Sequence, residues 1–191
     1  MNSRAWMIGL LIIMAIVCSS SLALVNNITS PIIEKNNEIK YMRTVLDVFD
    51  LPYDSENDDS IIGNFEKNIE DIEEQGLVMF KEIETGSIAV SVEGGGFQGN
   101  ISIVVALDSD TIKGFKVVAQ EETPGLGGRI SEEGFQNSFV GKKVSGGIRM
   151  TRSGNAGTDE FDAIAGATET SRAVEKILNS GFERYFEVVK K

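Results

Sequence analysis

From Ala5 to Ile33 the chain carries no charged side chain, and the stretch from Ala5 to Val25 is mainly apolar, with Trp6, Leu10, Leu11, Ile12, Ile13, Ile16, Leu22 and Leu24. As a helix rising about 1.5 Å per residue, that stretch reaches roughly 30 Å, the thickness of a bilayer's hydrocarbon core. A single membrane span is the favoured reading. The competing one is a cleaved secretory signal, because Arg4 opens the run and Ser21-Leu22-Ala23 offers small residues that a signal peptidase accepts. Lipoprotein processing is disfavoured by the size of Val17 ahead of Cys18. Both surviving readings put the rest of the chain outside the cytoplasm. A retained span makes it a single-pass protein of the cell membrane, with Arg4 a weak vote for an inside N-terminus.

With 191 residues, 41% of them hydrophobic, the remainder suffices for one domain with one core. Acidic side chains outnumber basic ones, 29 to 18, and the formal charge of -11 repels a phosphate backbone, which argues against nucleic acid as a partner. The chain has no histidine, so the usual general base, the commonest metal ligand and most haem ligation are excluded. Its one cysteine, Cys18, lies inside the apolar run, so neither an internal disulfide nor a four-cysteine cluster can form. If such a chain moves electrons, an organic cofactor must carry them.

Beyond the apolar run, Pro31 marks an exit, and Ile39, Met42, Val45, Leu46 and Phe49 recur at helical spacing until Leu51-Pro52. An acidic turn, Asp54 to Ser60, precedes Ile62, Phe65, Ile69 and Ile72, whose spacing predicts a second helix closed by Gly76. The period then changes. Leu77–Ile83, Ile88–Val92, Ile101–Leu107 and Thr111–Ala119 are predicted strands, and their short Gly, Asp and Ser connections imply a mainly antiparallel sheet. Phe135 and Phe139 suggest a short helix ending near Gly141, Ser153–Gly157 a loop, and Val174, Ile177, Leu178, Phe182 and Phe186 a final helix from Ser171. The predicted class is α+β, with helices flanking the sheet. The expected division is 1–30 for the anchor, 31–76 for a helical linker region packing on the domain, and 77–191 for the domain.

Two segments have chemistry of their own. In Asp162-Ala163-Ile164-Ala165-Gly166-Ala167-Thr168-Glu169-Thr170-Ser171, a short apolar stretch turns through Gly166 into the last helix. Gly166 and Ala167 let a ligand approach the backbone, and Thr170 or Ser171 can cap a helix whose free amides favour an anion, which places Thr168 where a phosphate is attracted. Local physics alone favours an ordinary capped helix start. In Gln120-Glu121-Glu122-Thr123-Pro124-Gly125-Leu126-Gly127-Gly128, Pro124 and Gly125 form a tight turn, the glycines free backbone amides, and Leu126 offers an apolar face for a ring. Gly94–Asn100 opens a strand, not a helix, so it is no dinucleotide fingerprint. Gly141-Lys142-Lys143 lacks the spacing of a phosphate loop.

Asp162-x-x-Ala165-Gly166-Ala167-Thr168 resembles the attachment motif of the flavin-binding subunits of ion-pumping respiratory complexes. These are the G subunit of the Rnf ferredoxin:NAD+ oxidoreductase and the C subunit of the sodium-pumping NADH:quinone reductase. The Glu122–Gly127 segment resembles the same family's ETPGLG loop, and Gly94–Asn100 its glycine-rich, aromatic-containing segment. The resemblance implies that a flavin transferase joins FMN through a phosphoester to the hydroxyl of Thr168. Glu122, Thr123, Gly125, Leu126, Gly127, Asp162, Gly166, Ala167 and Thr170 are then the cofactor-binding residues: Leu126 packs on the ring, Thr123 and nearby amides meet its polar edge, and Glu122 holds the loop. Two positions depart from the family's pattern. Ala165 stands where Ser or Thr is usual, removing one hydrogen bond from the turn, and Gln120 stands where His is frequent.

The implied function is that of a membrane-anchored electron carrier, not catalytic alone, with no metal site and with other membrane subunits of the complex as partners. A flavin takes up two electrons and can pass them on singly, while the protein supplies position and electrostatics. The span has no charged group to form an ion path, so ion pumping falls to other subunits. The shortness of the chain favours the Rnf type. The C subunit of the sodium pump and a freestanding extracytoplasmic flavoprotein are the alternatives, and a secreted binding module without redox function is a third.

Overall fold

The computed structural model describes residues 3–189; the ends of the expected anchor and domain, residues 1, 2, 190 and 191, lie outside the described residues. Helix α1 spans Ser3–Val48 without interruption, with Pro31 inside it. The sequence predicts an exit at Pro31, but the helix accepts the loss of the one backbone bond that proline cannot donate and continues. The stretch Trp6–Val48 is long and apolar enough to cross a bilayer. Its apolar side chains are exposed, Leu11 by 65% and Leu22 by 72%, so their favourable surroundings are lipid or other helices. By its internal packing the chain divides into two units, Met1–Ile39 and Lys40–Lys191.

The second unit is built on a five-stranded antiparallel meander: β1 (Ile69–Glu74), β2 (Leu77–Glu82), β3 (Ile88–Gly95), β4 (Asn100–Asp108) and β5 (Thr111–Gln120), in that spatial order. The four predicted strands are present with tight connections. β1 is an addition. Helix α2 (Asp58–Asn68) is shorter than the predicted one, and Ile69 and Ile72 leave helical geometry to pair with Glu82 and Met79 of β2. Asn57 accepts hydrogen bonds from Asp59 N and Ser60 N and so starts the helix early, while Ile69 is already extended at φ -121°. Pairing with a neighbouring strand outweighs the apolar spacing that mimics a helix, a tertiary effect that local pattern does not register.

Strand β4 explains the layering. Ile101, Ile103, Val105 and Leu107 join the main core on one face, while Val104 and Ala106 are equally buried on the other, so the strand is apolar almost throughout. On the second face sit the end of α1 (Val45, Leu46 and Val48, all buried) and α2, through Ile61 and Phe65. The rings of Tyr41 and Phe65 meet that of Phe80 at 5.6 and 6.1 Å. Over the main core lies helix α4 (Thr168–Val189), whose Val174, Leu178, Phe182 and Tyr185 are buried at helical spacing. It approaches β3 closely where glycines face it: a Cβ on Gly94 would come 2.8 Å from Ile177 Cγ1, and one on Gly181 would strike Val92. The remaining elements close one end of this core. They are a 3-10 turn (Gly127–Ser131), the short helix α3 (Glu133–Asn137), and a parallel pair, β6 (Arg149–Thr151) and β7 (Glu160–Asp162), with Phe115, Phe139 and Phe161 stacked inside.

Gly114 of β5 lies against the carbonyl of Val48, so that any Cβ there would collide with backbone. Gly114→Ala is therefore expected to destabilise the domain by about 1–3 kcal/mol. The check is the guanidinium midpoint of the detergent-solubilised chain followed by circular dichroism, and an unchanged midpoint would refute this seating of the helix end.

Candidate functional site

The two segments with chemistry of their own meet at one cleft of about 320 Å³, lined by Phe97, Glu122, Thr123, Leu126, Gly127, Gly166, Ala167, Thr168, Glu169 and Thr170. Each wall has a local cause. After β5 the chain folds into a turn in which Leu126 N and Gly128 N donate to Thr123 O at 3.1 and 3.0 Å, with Gly125 at φ +75°. A left-handed residue is needed there, and glycine takes it without strain. The turn leaves Leu126 47% exposed toward the cleft. On the opposite side Ala167 N donates to Ile164 O at 3.0 Å with Gly166 at φ +82°, a turn that delivers Thr168 as the first residue of α4. A Cβ on Gly166 would lie 3.3 Å from Leu126 Cδ2, so the two loops face each other closely.

Glu122 ties these parts together. It is only 6% exposed, and its Oε1 accepts from Phe97 N at 2.7 Å and Gln98 N at 3.0 Å while its Oε2 accepts from Thr170 Oγ1 at 2.7 Å. Burial by itself pushes the carboxyl pKa up, but the hydrogen bonds from Gln98, Thr170, Phe97 and Gly99 outweigh it and the pKa ends below its ordinary value. Gln120 helps from the other side, its Oε1 accepting from Glu122 N at 2.7 Å. Gln120 thus works as a local brace.

The structure also answers what holds the motif turn when Ala165 supplies no hydroxyl. Ser171 Oγ donates to Ala167 O and accepts from Ile164 N, both at 3.0 Å, so one fully buried hydroxyl clamps both ends of the turn. Thr170 and Ser171 were expected as helix caps, but α4 begins three residues before Ser171, at Thr168, and both hydroxyls are used elsewhere. Asp162 does not line the cleft. Its carboxylate accepts from Gly154 N at 2.8 Å and Ala156 N at 3.3 Å and closes the loop after β6. Gly125 shapes the first turn without lining the cleft, whereas Glu122, Thr123, Leu126, Gly127, Gly166, Ala167, Thr168 and Thr170 are brought together. Phe97, 63% exposed, and Glu169, paired with Arg172 at 2.6 Å, were not among the expected site residues. An aromatic set inside the glycine run Gly94–Gly99 was the available signal for Phe97.

Residues 96–183, which contain every lining residue of this cleft, match the family model described as an FMN-binding domain. This part of the chain is therefore similar to an FMN-binding domain. Over 90 residues it is 40% identical to the G subunit of the ion-translocating oxidoreductase complex of Methanosarcina acetivorans, covering 46% of this chain and 45% of that one. Over 107 residues it is 36% identical to the C subunit of the Na+-translocating NADH-quinone reductase of Neisseria meningitidis, covering 52% and 42%. The chain therefore spans less than half the length of these curated relatives. The crystal structure of the C subunit of the Na+-translocating NADH-quinone reductase from Parabacteroides distasonis shares the fold, with a TM-score of 0.69 at 23% identity over 83% of this chain and 96% of that one.

The cleft suits FMN on chemical grounds. Leu126, Phe97 and Gly166 offer apolar and unobstructed surface for a flat ring, and the free amides of the first turn of α4 suit a phosphate group. Because the Glu122 pKa is depressed from 4.5 on folding, its ionised form adds stability that is complete above pH 4.5 and fades as pH falls through the lower folded value. Glu122→Gln, which keeps the shape but loses the charge-assisted bonds, should cost about 1 kcal/mol at neutral pH. Thermal unfolding of the two proteins should show that gap narrowing below pH 4.5; a gap that widens on acidification would contradict the assignment.

Proposed function

We propose that FMN is attached through a phosphoester to Thr168 Oγ1, and that the chain is a membrane-anchored electron-carrying subunit of an ion-translocating oxidoreductase, of the Rnf ferredoxin:NAD+ type. The observation that carries this reading is the position of Thr168: the first residue of a 22-residue helix, lining the same cleft as Leu126 and Gly166. Attachment leaves a phosphodiester with one negative charge. The N-terminus of α4 offsets that charge by about 0.3 to 1 kcal/mol, so the helix orients the group while the covalent bond retains it. When bound, FMN supplies the capacity to take up two electrons and release them one at a time. The protein's own share is to hold the ring against Leu126, to present backbone amides and Thr123 to its polar edge, and to keep the loop in place through Glu122.

In this reading residues 1–30 anchor the chain, 31–76 pack on the domain and lend its sheet the edge strand β1, and 77–191 carry the flavin on the extracytoplasmic side. A flavin transferase matures the protein, while Asp162, outside the cleft but inside the motif, holds the loop after β6. The other membrane subunits supply the electron donor and acceptor and the ion path. The likeness to the Neisseria meningitidis protein keeps the C subunit of a sodium-translocating NADH:quinone reductase as the second reading. A freestanding flavoprotein differs from both in purifying from detergent without companions.

Coexpressed with a flavin transferase, the denatured chain should fluoresce on a gel and gain the mass of one FMN less water, and Thr168→Val should abolish both signals. Fluorescence that persists in the variant moves the attachment elsewhere, and a dark wild-type band beside an active transferase rejects the attachment altogether.

A further inference from the structure

We propose that the Glu122 carboxylate is a fixed negative charge that lowers the reduction potential of the flavin in this cleft. The inference rests on the FMN reading above and adds a role to a residue so far described as a brace. The geometry is specific. Glu122 is buried, it lines the cleft, and glycine backbone packs against its carboxylate: a Cβ on Gly127 would come 2.5 Å from both Glu122 Oε2 and Thr170 Oγ1. Among the described residues no lysine or arginine lines the cleft, and the other acid there, Glu169, is exposed and bonded through both oxygens to Arg172 at 2.6 and 2.8 Å. Among the described residues that line the cleft, the one charged side chain without a cationic partner is therefore Glu122.

Reduction of an oxidised flavin by two electrons with uptake of one proton at the ring leaves the ring one unit more negative than before. A buried carboxylate nearby raises the energy of that product and leaves the neutral oxidised ring almost unaffected, so the equilibrium shifts toward the oxidised form. The three donors at 2.7 to 3.0 Å temper the charge but do not remove it. They also keep the group ionised at neutral pH, so the charge is present under working conditions.

The test is a potentiometric titration of the flavinylated, detergent-solubilised full chain at neutral pH, with dithionite as reductant and mediator dyes, comparing wild type, Glu122→Gln and Thr170→Val. Glu122→Gln removes the charge and should raise the midpoint. The expected change is about tenfold in the reduction equilibrium, or about 30 mV for a two-electron couple. Thr170→Val keeps the charge but strips it of a donor, so its midpoint should stay level or fall. A midpoint in Glu122→Gln that is unchanged or lower overturns the proposal, as does an equal rise in both variants, which would trace the shift to a loosened loop. Failure of the attachment reading is separately visible, because the wild-type band is then dark on the gel before any titration begins.

Discussion

The architecture of the cleft depends on a single acceptor group. Glu122 gathers backbone amides from the turn between β3 and β4 and a hydroxyl from the first turn of α4, and it is itself the residue from which the Leu126 loop departs. Three segments that are remote in sequence share two oxygen atoms. Burying a carboxylate is unfavourable unless its lone pairs are filled, and here they are filled by groups that the strands and helix would otherwise leave pointing at solvent or into a gap. The same group that costs desolvation thereby fixes the relative position of every wall. Neighbouring glycines make this possible: a side chain on Gly127 would displace the carboxylate from its partners.

Much of the arrangement was legible beforehand because its determinants are local. The four strands from Leu77 onward announce themselves through β-branched runs bounded by Gly, Asp and Ser, and the cleft's two loops through glycine and proline at turn positions. The features that sequence reading missed are those decided across the fold. Ile69 and Ile72 keep helical spacing yet become strand because β2 offers them partners. Thr170 has the chemistry of a cap, but a buried carboxylate 48 residues away claims its hydroxyl. Phe97 stands out in the sequence only as an aromatic inside a glycine run, and its place in the cleft follows from a turn whose amides the same carboxylate holds. The hydroxyl missing at Ala165 is likewise compensated from Ser171, through bonds that span the turn.

The two units of the chain solve different solvation problems. The apolar N-terminal run exposes large side chains that only hydrocarbon or other apolar helices would accommodate, whereas the sheet unit buries its apolar residues on both faces and carries its acidic surplus outside. Strand β1 illustrates the second solution: at the edge of the meander it reads Ile-Glu-Asp-Ile-Glu-Glu, and its exposed carboxylates discourage pairing with another chain.

The order of strands has a consequence for assembly. Each strand of the meander pairs with its neighbour in sequence, so the sheet closes through short loops at little entropic expense. The cofactor cleft does not exist in that partial structure, because its floor arrives only when the last helix lays Thr170 beside Glu122. Ligand-competent geometry thus requires the last helix to be seated, and a polypeptide without that contact lacks one wall of the cleft. Occupancy of the cleft would in this sense report that the two ends of the domain have come together.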